Sequence, residues 1–201
     1  MPLTIIQVGA SGGQELQQFI EAGITDALLI EPLDMPFEIL KARTANLSNY
    51  LPLKALIHAR NGIEINFNVA SNGGMSSSIL EPLAHLSMYP EITFSEKIAL
   101  TSYRLDSVVT HLFNESKIRN KYAEMLYLDV QGGELFVLKG AGELLEDVKY
   151  IWTEIGLGDG YKGAAKYLDI IHFLANYQFQ MIFMECQPGG FGDALFIKQQ
   201  R

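Results

Sequence analysis

The chain has 201 residues, 48% hydrophobic and 19% charged, a balance that suits one packed domain and excludes a disordered chain. Fifteen Lys and Arg against 23 Asp and Glu leave a net charge of -8, which argues against nucleic-acid binding, where cations must neutralise phosphates. No apolar run approaches the roughly 18 residues of a membrane span, no basic segment precedes the first apolar run, and the lone Cys186 excludes an internal disulfide, so a cytoplasmic enzyme or binding domain is expected.

In chain order, Leu3–Val8 is a short apolar run that ends at Gly9. Gly12–Ala22 carries Leu16, Phe19 and Ile20 at helical spacing, with Ser11 and Gln14 placed for a capping box and Gly23 for a stop. Ala27–Ile30 is a second apolar run, closed by Glu31-Pro32. Asp34 and Pro36 then open a helix with Phe37, Leu40 and Leu47 on one face, and Leu53–Ile57 reads as a third strand. This β-α-β-α-β order implies a doubly wound parallel sheet with right-handed crossovers. At Asn61-Gly62, a hairpin-turn signal, the pattern changes: Ile63, Ile65, Phe67 and Val69 alternate with polar residues, as in a half-exposed antiparallel strand. A polar loop over 71–78 and an extended segment at Ile92–Leu100 complete a small β insert, residues 60–104, within a single domain of 1–201.

The winding resumes at Met125–Val130, followed by a helix over Gly132–Lys139 that Gly140 and Gly142 should stop. Tyr150–Ile155 is a strand, 156–160 a glycine-rich loop, and Ala164, Leu168, Ile171 and Leu174 mark a last amphipathic helix. Phe179–Met184 and Ala194–Ile197 close the sheet, with Pro188-Gly189-Gly190 turning between them.

Three places carry chemistry. Val8-Gly9-Ala10-Ser11-Gly12-Gly13 follows a strand, where glycines let backbone approach a ligand and the next helix offers unpaired amides. It is neither a full G-x-G-x-x-G nor a P-loop. Glu31, at the end of the second strand, stands where an acid accepts hydrogen bonds from ribose hydroxyls in doubly wound folds. Asp129 lies inside an apolar strand, where a carboxylate is costly unless it is paired or reaches a cleft. Glu154 repeats that pattern on the next strand. His58 ends the third strand. None of the four histidines has ligand spacing, so no metal is expected. A nicotinamide-dependent oxidoreductase needs the same glycine turn and acid, but no Tyr-Lys or histidine arrangement accompanies them. A noncatalytic domain of the same fold is the third reading.

Asp129-Val130-Gln131-Gly132-Gly133-Glu134, followed by Val137-Leu138-Lys139-Gly140-Ala141, resembles the D-V-E-G-x-E…V-L-K-G-A signature of FkbM-type methyltransferases, with Gln131 in place of the usual acid. Val8–Gln14 resembles the family's V-G-A-N-x-G-Q, with Ser11 for Asn, and Glu31-Pro32 matches its E-P. Residues 59–62, 74–78, Leu105-Asp106 and Glu154 match lesser motifs, so the likeness runs from residue 5 to about 155. The resemblance implies a Rossmann-like class I sheet of seven strands, the last antiparallel, and dependence on S-adenosylmethionine. It implies that Gly9, Ala10, Ser11 and Gly13 surround the methionine part of the cofactor, with Glu31-Pro32 at the ribose. His58 and Ala59 would lie near the adenine and Asp129 beside the methyl group. Asp129 is the first candidate for base or orienter, with Glu154 and His58 in reserve. The acceptor implied is a small-molecule, sugar or lipid-linked hydroxyl. Because the chain starts at its first strand, its contacts are expected from residues 76–78, the 156–160 loop, or the second subunit of a homodimer.

Overall fold

A strand whose two faces are both apolar belongs inside a parallel sheet covered on both sides. In the computed structural model, which describes residues 3–119, 121–187 and 190–199, β1 (Leu3–Val8) takes that central place. It pairs in parallel with β2 (Ile24–Glu31) on one side, and β2 pairs with β3 (Tyr50–Lys54). Between them run α1 (Leu16–Glu21) and α2 (Asp34–Thr44). The chain then leaves the main sheet. β4 (Leu56–Ile57), β5 (Glu64–Val69) and β6 (Glu96–Tyr103) form a second sheet in the order β4-β6-β5, with the short α3 (His85–Met88) before β6.

α4 (Leu105–Asn114) leads back to β7 (Met125–Leu128), which pairs with the free side of β1. α5 (Glu134–Ala141) and α6 (Leu144–Asp147) precede β8 (Tyr150–Gly156), and α7 (Tyr167–Ala175) precedes β9 (Phe179–Gln187) and β10 (Phe191–Lys198). The main sheet has the order β3-β2-β1-β7-β8-β10-β9, and β10 is antiparallel to both neighbours. Its larger core packs Leu105, Leu126, Leu128, Leu138 and Ile151 on one face. Ile5, Phe19, Leu29 and Leu40 fill the other. The order reverses between β1 and β7, so the strand ends there open a crevice. No helix among the described residues is long and apolar enough to cross a membrane.

Several local expectations are corrected. The Ser11/Gln14 capping box does not form: α1 begins only at Leu16, and Gln14 donates to the Ser11 hydroxyl (3.2 Å) instead. Leu53–Ile57 is not one strand, because the chain breaks at Ala55 and Leu56–Ile57 pairs with β6 of the second sheet. Asn61-Gly62 makes no hairpin, since β4 and β5 lie on opposite sides of β6. Asn61 instead binds the Arg104 amide (2.7 Å) and the Ser107 hydroxyl (2.9 Å), docking the turn on the start of α4. Gly140 does not stop α5. It lies within the helix, where any Cβ would overlap the His58 carbonyl oxygen. The closing turn expected at Pro188-Gly189 lies outside the described residues.

Candidate active site

The site grows from the loops that leave the carboxyl ends of β1, β2 and β7. Gly9 turns at φ +85° because a Cβ there would overlap the Asp129 carbonyl. The Gly9 and Ala10 amides donate to the Ile30 carbonyl (2.9 and 3.0 Å), tying the first loop to β2. Ser11 takes the left-handed region at φ +44°, and its amide donates to Glu31 Oε2 (3.0 Å). Glu31 Oε1 accepts from the Leu33 amide (2.8 Å). The Glu31 carboxylate thus joins two loops while lining a cleft. Burial pushes its pKa up to about 7, against the two amides that favour the charged form.

This first cleft, about 210 Å³, is apolar at one end, where Leu33, Leu56, Phe67 and Ile79 meet. Ser11, Glu15, Glu31 and Asp129 supply its polar lining. A second cleft of about 380 Å³ adjoins it and shares Met75, Asp129 and Gln131 with it. Rings of His85, Tyr89, Tyr161 and Phe191 line the second cleft, together with Glu134 and Glu154.

Gln131 organises the seam. It is held at φ +56°, an uncommon conformation for a residue with a side chain, and its carbonyl accepts from the Ser78 hydroxyl (2.7 Å). Its side-chain amide donates to Asp129 (2.8 Å) and Glu154 (3.4 Å). The Tyr161 hydroxyl lies 3.0 Å from Gln131 Oε1 and 2.7 Å from the Ser76 carbonyl, one proton serving two acceptors. Glu134 bends the loop beneath, accepting from the Val130 and Gly132 amides (3.0 and 3.1 Å).

The carboxyls crowd one another. Burial pushes Asp129 up to about 6. The Gln131 bond opposes that rise, and the Glu15 and Asp193 charges add to it. Burial lifts Glu134 to about 7, and burial with the Asp129, Glu134 and Asp193 charges lifts Glu154 well above its ordinary range. Such groups hold or release a proton near neutral pH. Among the described residues, no group of three or more His, Cys, Asp and Glu could hold a metal ion.

Of the residues singled out in the sequence, Gly9, Ser11, Glu31, Pro32 and Asp129 line the first cleft, and Asp129 and Glu154 the second. Ala10 is fully buried beneath the turn, and Gly13 packs on Leu16 and Leu40. His58 and Ala59 do not reach either cleft. The His58 ring stacks on Phe136 (4.7 Å between centroids) behind α5, and the Ala59 carbonyl is taken by Arg104 (3.1 Å). The break at Ala55 puts Ala55–Ile57 on the wall of the first cleft, where His58 and Ala59 were expected. Sequence reasoning gave no site role to His85, Leu33, Phe67 or Gly74. Only the fold of the insert onto the sheet brings them together.

A family profile described as "Methyltransferase FkbM domain" matches residues 7–181. The chain belongs to this family. That membership decides against the nicotinamide-dependent oxidoreductase. This FkbM-family chain is 25% identical over 181 residues to the 2-O-methyltransferase NoeI of Sinorhizobium fredii (strain NBRC 101917 / NGR234), covering 87% of this chain and 72% of that protein. Among solved structures, it resembles the magnesium protoporphyrin IX methyltransferase ChlM of Synechocystis PCC 6803 with bound SAM, at a TM-score of 0.51 and 9% identity, covering 98% of this chain and 71% of that one. A protein of the NADB-Rossmann superfamily from Streptococcus agalactiae matches at a TM-score of 0.54 and 11% identity, covering 100% of this chain and 65% of that one. These two likenesses show the Rossmann-like class I architecture.

Proposed function

We propose that this FkbM-family methyltransferase binds S-adenosylmethionine in the first cleft and methylates a hydroxyl of a small molecule in the second. One observation carries the reading: the two clefts meet at Asp129, so a donor in one and an acceptor in the other face the same carboxyl. The first cleft fits the cofactor by its donor set. Leu33, Leu56, Phe67 and Ile79 offer an apolar slot for a purine, and Glu31 retains lone pairs for ribose hydroxyls beyond its two amide bonds. The bound cofactor supplies an electrophilic methyl group. The protein orients the partners, excludes water and handles the proton.

Asp129 takes that proton as the acceptor oxygen attacks. Its elevated pKa suits a base working near neutrality, and Gln131 holds the carboxylate in one orientation. Glu154 is the reserve base. The acceptor we favour is a neutral sugar or lipid-linked hydroxyl. No lysine or arginine is among the residues lining the second cleft, whereas its four rings suit stacking and its carboxyls suit hydroxyl groups. NoeI is named as a 2-O-methyltransferase, which supports an oxygen acceptor. The lone exposed Cys186 fits the reducing cytoplasm, where we place the reaction.

Calorimetry with S-adenosylmethionine, followed by a screen of glycoside and other hydroxyl acceptors with the radiolabelled methyl donor, tests the reading. Saturable binding and label transfer to an alcohol are expected. An absence of cofactor binding overturns it.

A further inference from the structure

The residues lining the two clefts include Glu15, Glu31, Asp129, Glu134 and Glu154, and no lysine or arginine. Asp129 and Glu154 stand on either side of the Gln131 amide, the first on the loop after β7 and the second on β8. Facing Asp129 are Glu15 from the turn before α1, Asp193 from β10 and Glu31 from β2, all acids. Asp193, Asp129 and Glu134 face Glu154. Tyr127 and Tyr161 complete the surround and are held in their neutral form by burial and these charges. Burial among rings pushes the His85 pKa down, against the Glu91 charge. Lys166, on the rim, is tied to Asp159 and the Gly158 carbonyl.

We infer that this acid seam, centred on Asp129 and Glu154, reads the charge of the cofactor, favouring the sulfonium of S-adenosylmethionine over the neutral thioether of S-adenosylhomocysteine, so that transfer itself loosens the spent molecule. The inference rests on the functional reading above. On transfer, the bond from sulfur to the methyl carbon breaks and its electron pair stays on sulfur. The acceptor oxygen bonds that carbon, and the hydroxyl proton passes to Asp129. One positive charge leaves the first cleft while one carboxylate is neutralised. Once Asp129 returns its proton to solvent, the acids again repel one another with no cation beside them. The product then keeps only the contacts that it shares with the donor, those with the apolar slot and Glu31 among them.

Calorimetric titration of the wild-type protein with each compound at pH 8 and pH 5.5 tests this. The amino and carboxylate groups are the same in both compounds, so the affinity ratio isolates the sulfonium. At pH 8 S-adenosylmethionine should bind about tenfold more tightly, and at pH 5.5 the ratio should shrink towards unity as the carboxyls take up protons. Asp129→Asn should lower the ratio at pH 8 about threefold by weakening S-adenosylmethionine alone. Equal affinities at pH 8, a ratio unmoved by pH, or equal losses for both compounds in Asp129→Asn overturn the inference. If neither compound binds, the functional reading falls and takes the inference with it.

Discussion

The proposed reading gives Asp129 two duties that substitution can separate. As a base it matters only when the acceptor attacks, whereas as part of the cleft lining it contributes to binding as well. Asp129→Asn keeps the shape and can still bond Gln131, so turnover should fall by about 10²–10⁴-fold while cofactor affinity changes far less. Equal losses in both, from steady-state kinetics and calorimetry, would assign Asp129 to the cofactor alone. Glu31→Ala should weaken the cofactor by about 10- to 100-fold through lost charge-assisted hydrogen bonds. The same change frees the Ser11 and Leu33 amides, so its melting temperature must be measured beside its affinity. Glu31, Asp129 and Glu154 were legible in the sequence because an acid in or at the end of an apolar strand is anomalous. Tyr161 and His85 were not, because an aromatic ring in a loop or a short helix looks the same whether it faces a cleft or a core.

At the level of single elements, α5 shows where local signals mislead. Gly140 reads as a helix stop, yet its missing side chain serves the close approach of α5 to the His58 backbone. Gly140→Ala should therefore destabilise the protein by about 1–3 kcal/mol despite the better helix propensity of alanine, as urea unfolding would show. An unchanged midpoint would mean that the two segments separate freely. His58→Gln tests the same neighbourhood. It should lower stability through the lost ring packing on Phe136 and leave cofactor affinity unaltered. β1, β2, β7 and β8 were readable from their apolar runs. The split between β3 and β4 was not, because a break after Lys54 depends on β6, whose pairing with Leu56–Ile57 bridges distant sequence. Element order and the antiparallel last strand follow from the winding and the family resemblance. Boundaries shifted wherever a loop was fixed by side chains from elsewhere, as Arg43 fixes the glycine turn through the Gly12 and Gly13 carbonyls (2.9 and 3.3 Å).

For the molecule as a whole, the net charge is -8, and the fold keeps two of its carboxyls, Glu31 and Glu134, out of water. Glu31 and Glu134 rise from an ordinary 4.5 to about 7, so the folded state holds more protons than the unfolded chain between those values. Stability therefore falls as pH climbs through that window and levels above it. Glu31 alone should remove on the order of 2 kcal/mol between pH 5.5 and pH 8. Urea unfolding of the ligand-free protein should show the higher midpoint at pH 5.5. A higher midpoint at pH 8 would mean that these acids are hydrated or paired in the fold.

The second sheet has a small hydrophobic centre of Leu33, Leu56 and Phe67, backed by Ile79 among others, and these four side chains also wall the first cleft. On the proposed reading, the insert and the purine slot thus draw on one set of side chains. A chain bred for heat tolerance alone would tend to plug the slot, for instance by Ile79→Phe, and would emerge sturdier but inert. Thermostability screens of this scaffold should accordingly be run with the nucleoside present, so that gains in robustness are not harvested from the slot itself.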